Sequence, residues 1–281
     1  MKLALITRYL NEPFLDEFVE YYLSEGVDNI FILYDIDSTI PISDEIKKNK
    51  NIIIHYSSNF GEKQMYDVNV VYSKIRKHFT WVIFVDCDEF ISCKNLSLTI
   101  RGALETIYRD TDCIKIPWVM MSSNGIKEDP PSLLQGLTRR WNHDLRHVQR
   151  HNWSKGRCRY DAIEVKCICR CPVFPVLGLH HPNHVNNYKF ICIDSIDSKE
   201  SPLNPFYKNL RESSIDRAVM LCYHYRIYSR ESAERKLINN KLDGYKGNVL
   251  TYLLDSDHSE KDDFFMRNKS IAKFGHKNYI T

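Results

Sequence analysis

Trp81-Val-Ile-Phe-Val-Asp-Cys-Asp-Glu-Phe-Ile91 is the stretch whose reading decides the fold. Trp81–Val85 is an unbroken apolar run, rich in β-branched and aromatic residues, that leads straight into Asp86, Cys87, Asp88 and Glu89. Such a run predicts a strand buried on both faces. The three carboxylates at its end then face an apolar interior, where uncompensated charge is very costly. A divalent cation bound through hard oxygen ligands is a fitting compensation. In open α/β sheets ligands gather at the carboxyl ends of strands, where these acids sit. The bland alternative is a strand that simply ends in a polar turn.

The flanking sequence supplies the rest of such a sheet. Leu3-Ala-Leu-Ile6 predicts a first strand, followed by the loop Thr7–Pro13. Phe14, Leu15, Phe18, Val19, Tyr22 and Leu23 recur at helical spacing, and Gly26 stands where a left-handed cap would end that helix. Asn29–Tyr34 and Asn51–Tyr56 predict two more strands, and Gln64–Phe79 a helix. Strands alternating with helices at this spacing imply an α/β fold with a mostly parallel central sheet flanked by helices.

Composition narrows the function classes. The chain has 281 residues, 43% hydrophobic and 12% aromatic, enough for a substantial core. Its net charge of +3 is too small to argue for a nucleic-acid partner. No apolar run approaches the roughly 18–20 residues of a membrane span. Met1 leads almost directly into an apolar strand, so the expected location is cytoplasmic. Nine cysteines then read as reduced thiols. Cys167, Cys169 and Cys171 alternate on one strand face with Cys158 upstream, a spacing closer to packing thiols than to paired zinc knuckles. Arg139–Arg159 interleaves cations with Trp141 and Trp153, which suits an acceptor surface where the tryptophans stack on sugar rings, a donor lid, a nucleic-acid contact or a solvated charged face. Ile196–Pro205 is the best candidate for an exposed loop or lid.

Several pieces, in order, resemble the GT-A glycosyltransferases of the family 2-like and family 92-like group. They are Thr7-Arg-Tyr-Leu-Asn-Glu12, Phe31-Ile-Leu-Tyr-Asp-Ile-Asp-Ser-Thr39, Lys63-Gln64, Asp86-Cys-Asp-Glu-Phe90, Met121-Ser-Ser-Asn-Gly125, and Cys222-Tyr-His-Tyr225 with Ser229, Glu231 and Lys236. Ile36 departs from the pattern by replacing a residue that is usually polar. The resemblance implies one GT-A domain over 1–281, with a nucleotide-sugar-binding half at 1–110, an acceptor-side half at 111–240 and a helical tail at 241–281. It also implies transfer of a sugar from a nucleotide diphosphate donor, UDP before GDP, to a glycan or other hydroxyl acceptor, mostly with inversion.

Site candidates follow. Mn²⁺ or Mg²⁺ would neutralise charge developing on the diphosphate leaving group. Asp86 and Asp88 are the candidate ligands, with Asp86 also suited to the donor ribose. His224, ending the apolar run from Val219, is the candidate third ligand, as a late histidine is in that group; His180 and His181 compete, His181 more strongly because Pro182 holds it extended. Glu89 reads as a supporting or sugar-hydroxyl partner. Arg8 suits a phosphate or base, Glu12 and Asp35 (or Asp37) the uracil or ribose, and Lys63 and Gln64 the donor. Asp129, with Glu128 beside it, is the candidate catalytic base. A metal-dependent nucleotidyltransferase or phosphohydrolase, or an inactive binding module, are the competing readings. The lack of a Gly-rich phosphate loop weighs against the nucleotidyltransferase.

Overall fold

The computed structural model describes residues 1–58, 64–145, 162–183, 185, 189–192, 206–208, 210–238 and 247–280. In chain order the elements are β1 (Leu3–Tyr9), α1 (Leu15–Ser24), β2 (Asn29–Asp35), α2 (Asp44–Lys48), β3 (Ile52–Ser57), α3 (Gln64–Ile75) and β4 (Trp81–Phe84). Then come β5 (Glu89–Cys93), α4 (Ile100–Thr106), β6 (Cys113–Ser122), α5 (Leu133–Gly136), β7 (Arg139–Arg140), β8 (Ala162–Arg170), β9 (Phe190–Cys192) and β10 (Phe206–Lys208). The chain closes with α6 (Glu212–Arg217), β11 (Met220–His224), α7 (Arg230–Ile238), α8 (Val249–Ser256), β12 (Lys261–Asp262) and α9 (Phe265–Phe274).

Two compact units form, each discontinuous in sequence. The first comprises Met1–Trp118, Glu164–Tyr207 and Arg217–Cys222; the second comprises Val119–Ile163, Lys208–Asp216 and Tyr223–Thr281.

The first unit holds the predicted α/β sheet. β3, β2, β1 and β4 run parallel in that order. β8 then pairs antiparallel with β4, and β6 antiparallel with β8. All seven residues of β1 and all four of β4 are buried, which is why Leu3–Ile6 and Trp81–Phe84 read as unbroken apolar runs rather than alternating. One face packs Ala4, Ile6, Phe31, Leu33, Val82 and Phe84 against Val68, Val71 and Tyr72 of α3. Each buried Val, Leu, Ile or Phe among them contributes about 1.5–3 kcal/mol.

Helix α1 ends as expected. Gly26 has φ +92°, and a Cβ there would come within 2.6 Å of Arg101 Cβ, so both conformation and space call for glycine. Arg101 fills that gap and donates to the Gly26 carbonyl. The expected thiol face is also present: Cys167, Cys169 and Cys171 lie in the apolar core with Cys113, whose Sγ is 3.8 Å from that of Cys169. Cys158, like the Ile196–Pro205 lid candidate, lies outside the described residues.

In the second unit the last residues of β6 pair with β7, and β7 with β12, all antiparallel. Helix α5 packs on α9, and α7 on α8 around Ile227, Ala233 and Tyr252. Arg140, 3% exposed, is held by both Glu212 oxygens at 2.7 Å and by Asp263 at 2.8 Å. Arg139 pairs with Asp262. The described start of the basic segment thus spends its cations on internal ion pairs, and Trp141 is buried rather than offered to a sugar. Residues 146–161 of that segment lie outside the described residues.

Candidate functional site

Strand register assembles the site. β1 and β4 pair with Ile6 opposite Phe84, and the same offset carried two residues on brings Arg8 level with Asp86. On the other side of β4, β8 pairs with Ile168 opposite Ile83. Continuing that antiparallel ladder sets Lys166 opposite Val85, beside Asp86. The end of β4 is therefore flanked by one cation from each neighbouring strand.

The side chains close the arrangement. Arg8 Nε donates to Asp86 Oδ1 at 3.0 Å, and its NH2 reaches the same oxygen. Lys166 Nζ lies 3.2 Å from Asp86 Oδ2 and 3.1 Å from Glu89 Oε2. The acids do not leave one continuous strand. Asp86, Cys87 and Asp88 form a turn between β4 and β5, with the Glu89 N–H donating to the Asp86 carbonyl at 3.1 Å. Glu89 Oε2 accepts from the Asp86 N–H at 2.7 Å, so Glu89 reaches back into the turn. Cys87 is the inward spacer, its Sγ 3.3 Å from both Thr7 Oγ1 and the Arg8 carbonyl. Asp86 is 30% exposed, whereas Asp88 and Glu89 are buried. Asp86 is the most exposed acid of this turn.

Burial and charge pull these groups apart. Burial opposes ionisation of Asp86, but Arg8 and Lys166 outweigh it and hold its carboxyl well below the usual range. For Glu89 burial wins over Lys166, and its carboxyl is pushed up to about 8. Burial works against the Lys166 charge, yet Asp86 and Glu89 overcome it and raise its pKa. His180 is lowered to about 4 by burial and then by Lys166. It is thus neutral at pH 7, with Nδ1 3.0 Å from the Val165 carbonyl and its ring 5.6 Å from Trp118. Its other ring nitrogen, Nε2, lies 3.4 Å from Glu164 Oε1.

The sequence matches the model of glycosyltransferase family 92 over residues 8–248. The chain belongs to glycosyltransferase family 92. Its α/β sheet agrees with the GT-A organisation that the resemblance implied. No protein of curated function matches the sequence. Among solved structures it overlaps S. aureus TarS 1-349 at 12% identity and TM-score 0.40, covering 97% of this chain and 72% of that one. TarS 1-349 in complex with UDP gives 12% and 0.40, over 90% and 69%. HddC from Yersinia pseudotuberculosis gives 11% and 0.32, over 78% and 98%.

The other candidate residues of this family 92 transferase are distributed as follows. Asp35, buried at the end of β2, spends Oδ1 on the Asp37 N–H at 2.9 Å, while Asp37 is exposed. Glu12 is half-buried in the loop after β1. Lys63 lies outside the described residues, as does the side chain of Gln64, which opens α3. His181 Nδ1 lies 2.8 Å from the Pro182 carbonyl. His224 ends β11, buried, in the second unit, whereas Asp86 and Asp88 belong to the first. Asp129 accepts from Ser229 Oγ and pairs with Arg235 at 2.5 Å; Glu128 is exposed.

Among the described residues no group of three or more His, Cys, Asp or Glu side chains is gathered closely enough to hold a metal ion by itself. That is compatible with Mg²⁺-like binding, in which one or two carboxylates join substrate phosphates rather than forming an all-protein cage. The donor chemistry fits as well: the carboxylates of the turn are hard oxygen donors, the Cys87 thiol is turned toward Thr7 and the Arg8 carbonyl, and buried Glu89 Oε1 has no hydrogen-bond partner among the described residues.

Lys166 and Asn11 were not legible as site residues. Asn11, at φ +56°, accepts at Oδ1 from Ser38 Oγ (2.9 Å) and the Thr39 and Ile40 N–H groups (2.6 and 3.0 Å), tying the loops after β1 and β2 together. An asparagine tolerates that left-handed backbone, so the Asn of Leu10-Asn-Glu12 was the signal available.

Proposed function

We propose that this family 92 glycosyltransferase is metal-dependent and moves a sugar from a UDP-sugar to a hydroxyl of a glycan or related acceptor, with inversion. The observation that carries the reading is the Asp86 turn at the carboxyl end of β4, flanked by Arg8 and Lys166 and open to solvent through Asp86.

In this reading Asp86 and Asp88 hold the cation, with His224 as the candidate third ligand. When bound, Mn²⁺ or Mg²⁺ supplies charge stabilisation to the departing diphosphate. The residues of the chain do the rest. Arg8, at the end of β1, orients phosphate oxygens through its planar fork. Glu12 and Asp35 address the ribose and base. Asp129 takes the proton from the acceptor hydroxyl as the sugar carbon is attacked, and the Arg235 and Ser229 contacts fix its carboxylate while it does so. The division into a donor half at 1–110, an acceptor half at 111–240 and a tail at 241–281 belongs to the same proposal. Among the described residues no helix is long and apolar enough to cross a membrane.

The test is a panel of sugar nucleotides incubated with the protein and Mn²⁺, with nucleotide release as the readout. Slow release of UDP from one UDP-sugar, stimulated by a glycan acceptor and abolished by EDTA, is the expected result. Release of inorganic pyrophosphate or phosphate would support the nucleotidyltransferase or phosphohydrolase class instead, and no release from any donor an inactive module.

A further inference from the structure

We propose that Lys166 is a positioning residue, the resident cation of the Asp86–Glu89 turn, and that it makes binding of a divalent cation conditional on a nucleoside diphosphate. This deepens the transferase reading and rests on it.

Lys166 is fixed in place. It lies in β8, between β4 and β6, with a side chain 1% exposed. Its ammonium stands 5.3 Å from the Phe84 ring centre and 6.0 Å from that of Trp118, a wall that favours a cation. It spans the two acids, 3.2 Å from Asp86 Oδ2 and 3.1 Å from Glu89 Oε2. Arg8 occupies the other Asp86 oxygen. Both oxygens of the most exposed acid in the turn are therefore already engaged by protein cations. A bare divalent ion approaching Asp86 meets two positive charges within a few ångströms, in surroundings that screen them poorly.

A lysine held on a central strand cannot swing out to make room as a surface lysine would. What can offset it is negative charge arriving with the ion. A nucleoside diphosphate brings that charge and also the phosphate oxygens that a two-carboxylate site leaves the ion needing. The geometry thus selects the metal–diphosphate complex over the free metal. A merely structural lysine, present to neutralise buried acids, would affect stability and leave this order of binding unchanged.

The experiment is calorimetric titration of the full chain with Mn²⁺ alone, and with Mn²⁺ in the presence of UDP, for wild type, Lys166→Met and Lys166→Arg. Lys166→Met is expected to bind Mn²⁺ alone at least about tenfold more tightly than wild type, as removal of a unit charge this close implies. Lys166→Arg, which keeps the charge, is expected to stay near wild type. Should Lys166→Met fail to fold with Glu89 left without its ammonium, Lys166→Met/Glu89→Gln removes both charges, and its Mn²⁺ affinity is expected to rise in the same direction. Unchanged affinity for Mn²⁺ alone in the folded variant overturns the proposal. A wild type that takes up no Mn²⁺ even with UDP overturns the conditional binding together with the metal-dependent transferase reading. Uptake with UDP beside an unchanged Lys166→Met affinity for Mn²⁺ alone overturns the role of Lys166 and leaves that reading standing.

Discussion

Arg8 and Asp86 lie level across the parallel pair β1 and β4, and the buried guanidinium grips the one acid of the turn that is 30% exposed. The contact is made through Nε and NH2 to a single oxygen, Oδ1. In the proposed reading the same guanidinium also orients a donor phosphate at this sheet edge.

Arg8→Met is accordingly expected to weaken UDP binding in the presence of Mn²⁺ by about 10- to 100-fold, the range for losing hydrogen bonds to charged groups. Arg8→Lys is expected to recover only part of this, because an ammonium lacks the planar fork. Titration of UDP followed by calorimetry checks both. A wild-type dissociation constant in Arg8→Met would confine Arg8 to bracing Asp86.

Glu89 makes a pH prediction. Its carboxyl is pushed from 4.5 up to about 8, first by burial. The folded state therefore holds a proton that the unfolded state gives up. Its contribution to stability is complete below pH 4.5 and is lost as pH rises to about 8. Glu89→Gln, which cannot ionise, is expected to lose less stability than wild type across that window. Urea unfolding at pH 5 and pH 8.5 measures it, and parallel losses in the two proteins would contradict the assignment.

Glu212 gives the opposite sign. Burial works against its charge, but hydrogen bonds from Arg140, Lys261 and the His143 N–H bring it down to about 2. That stability is present above pH 4.5 and is lost as pH falls toward 2. Glu212→Ala leaves the Arg140 charge short of a partner in a buried site, which typically costs about 3–5 kcal/mol. Urea unfolding at pH 7 should show that deficit, and it should narrow below pH 4.5. A deficit independent of pH would mean that packing, not charge, is what Glu212 supplies.

How much was legible follows from where the partners lie in sequence. β1, β2 and β4 were readable because strands buried on both faces leave unbroken apolar runs, and Gly26 because a left-handed cap at the end of α1 has few other occupants. Trp81–Ile91 was readable as a buried strand ending in acids, but the turn that splits it into β4 and β5 was not, since Phe90 and Ile91 look like a continuation. Lys166 stands in Val165-Lys-Cys-Ile168 as one cation within an apolar strand, and the acid that explains it is 80 residues away. The same holds for Arg140 and Glu212, 72 apart. Local pattern reveals that such a group is buried; only the strand pairing reveals what it faces.

Asp129 is proposed as the base while held by Arg235 and Ser229. Asp129→Asn is expected to lower kcat by about 10²-fold or more with little change in the KM for donor, the scale of a lost general base. Steady-state kinetics beside a thermal unfolding curve decide the matter. A variant that loses stability and keeps kcat would make Asp129 a brace for α7.

The central claim is that the Asp86–Asp88 turn binds a nucleoside diphosphate through a divalent cation. Thermal unfolding with UDP, with and without Mn²⁺, in wild type and Asp88→Asn tests it most directly. At about 100 times its dissociation constant, UDP with Mn²⁺ should stabilise wild type by about 2.7 kcal/mol, and the gain should vanish with EDTA or in Asp88→Asn. Equal stabilisation by UDP in EDTA, or an undiminished gain in Asp88→Asn, would contradict it.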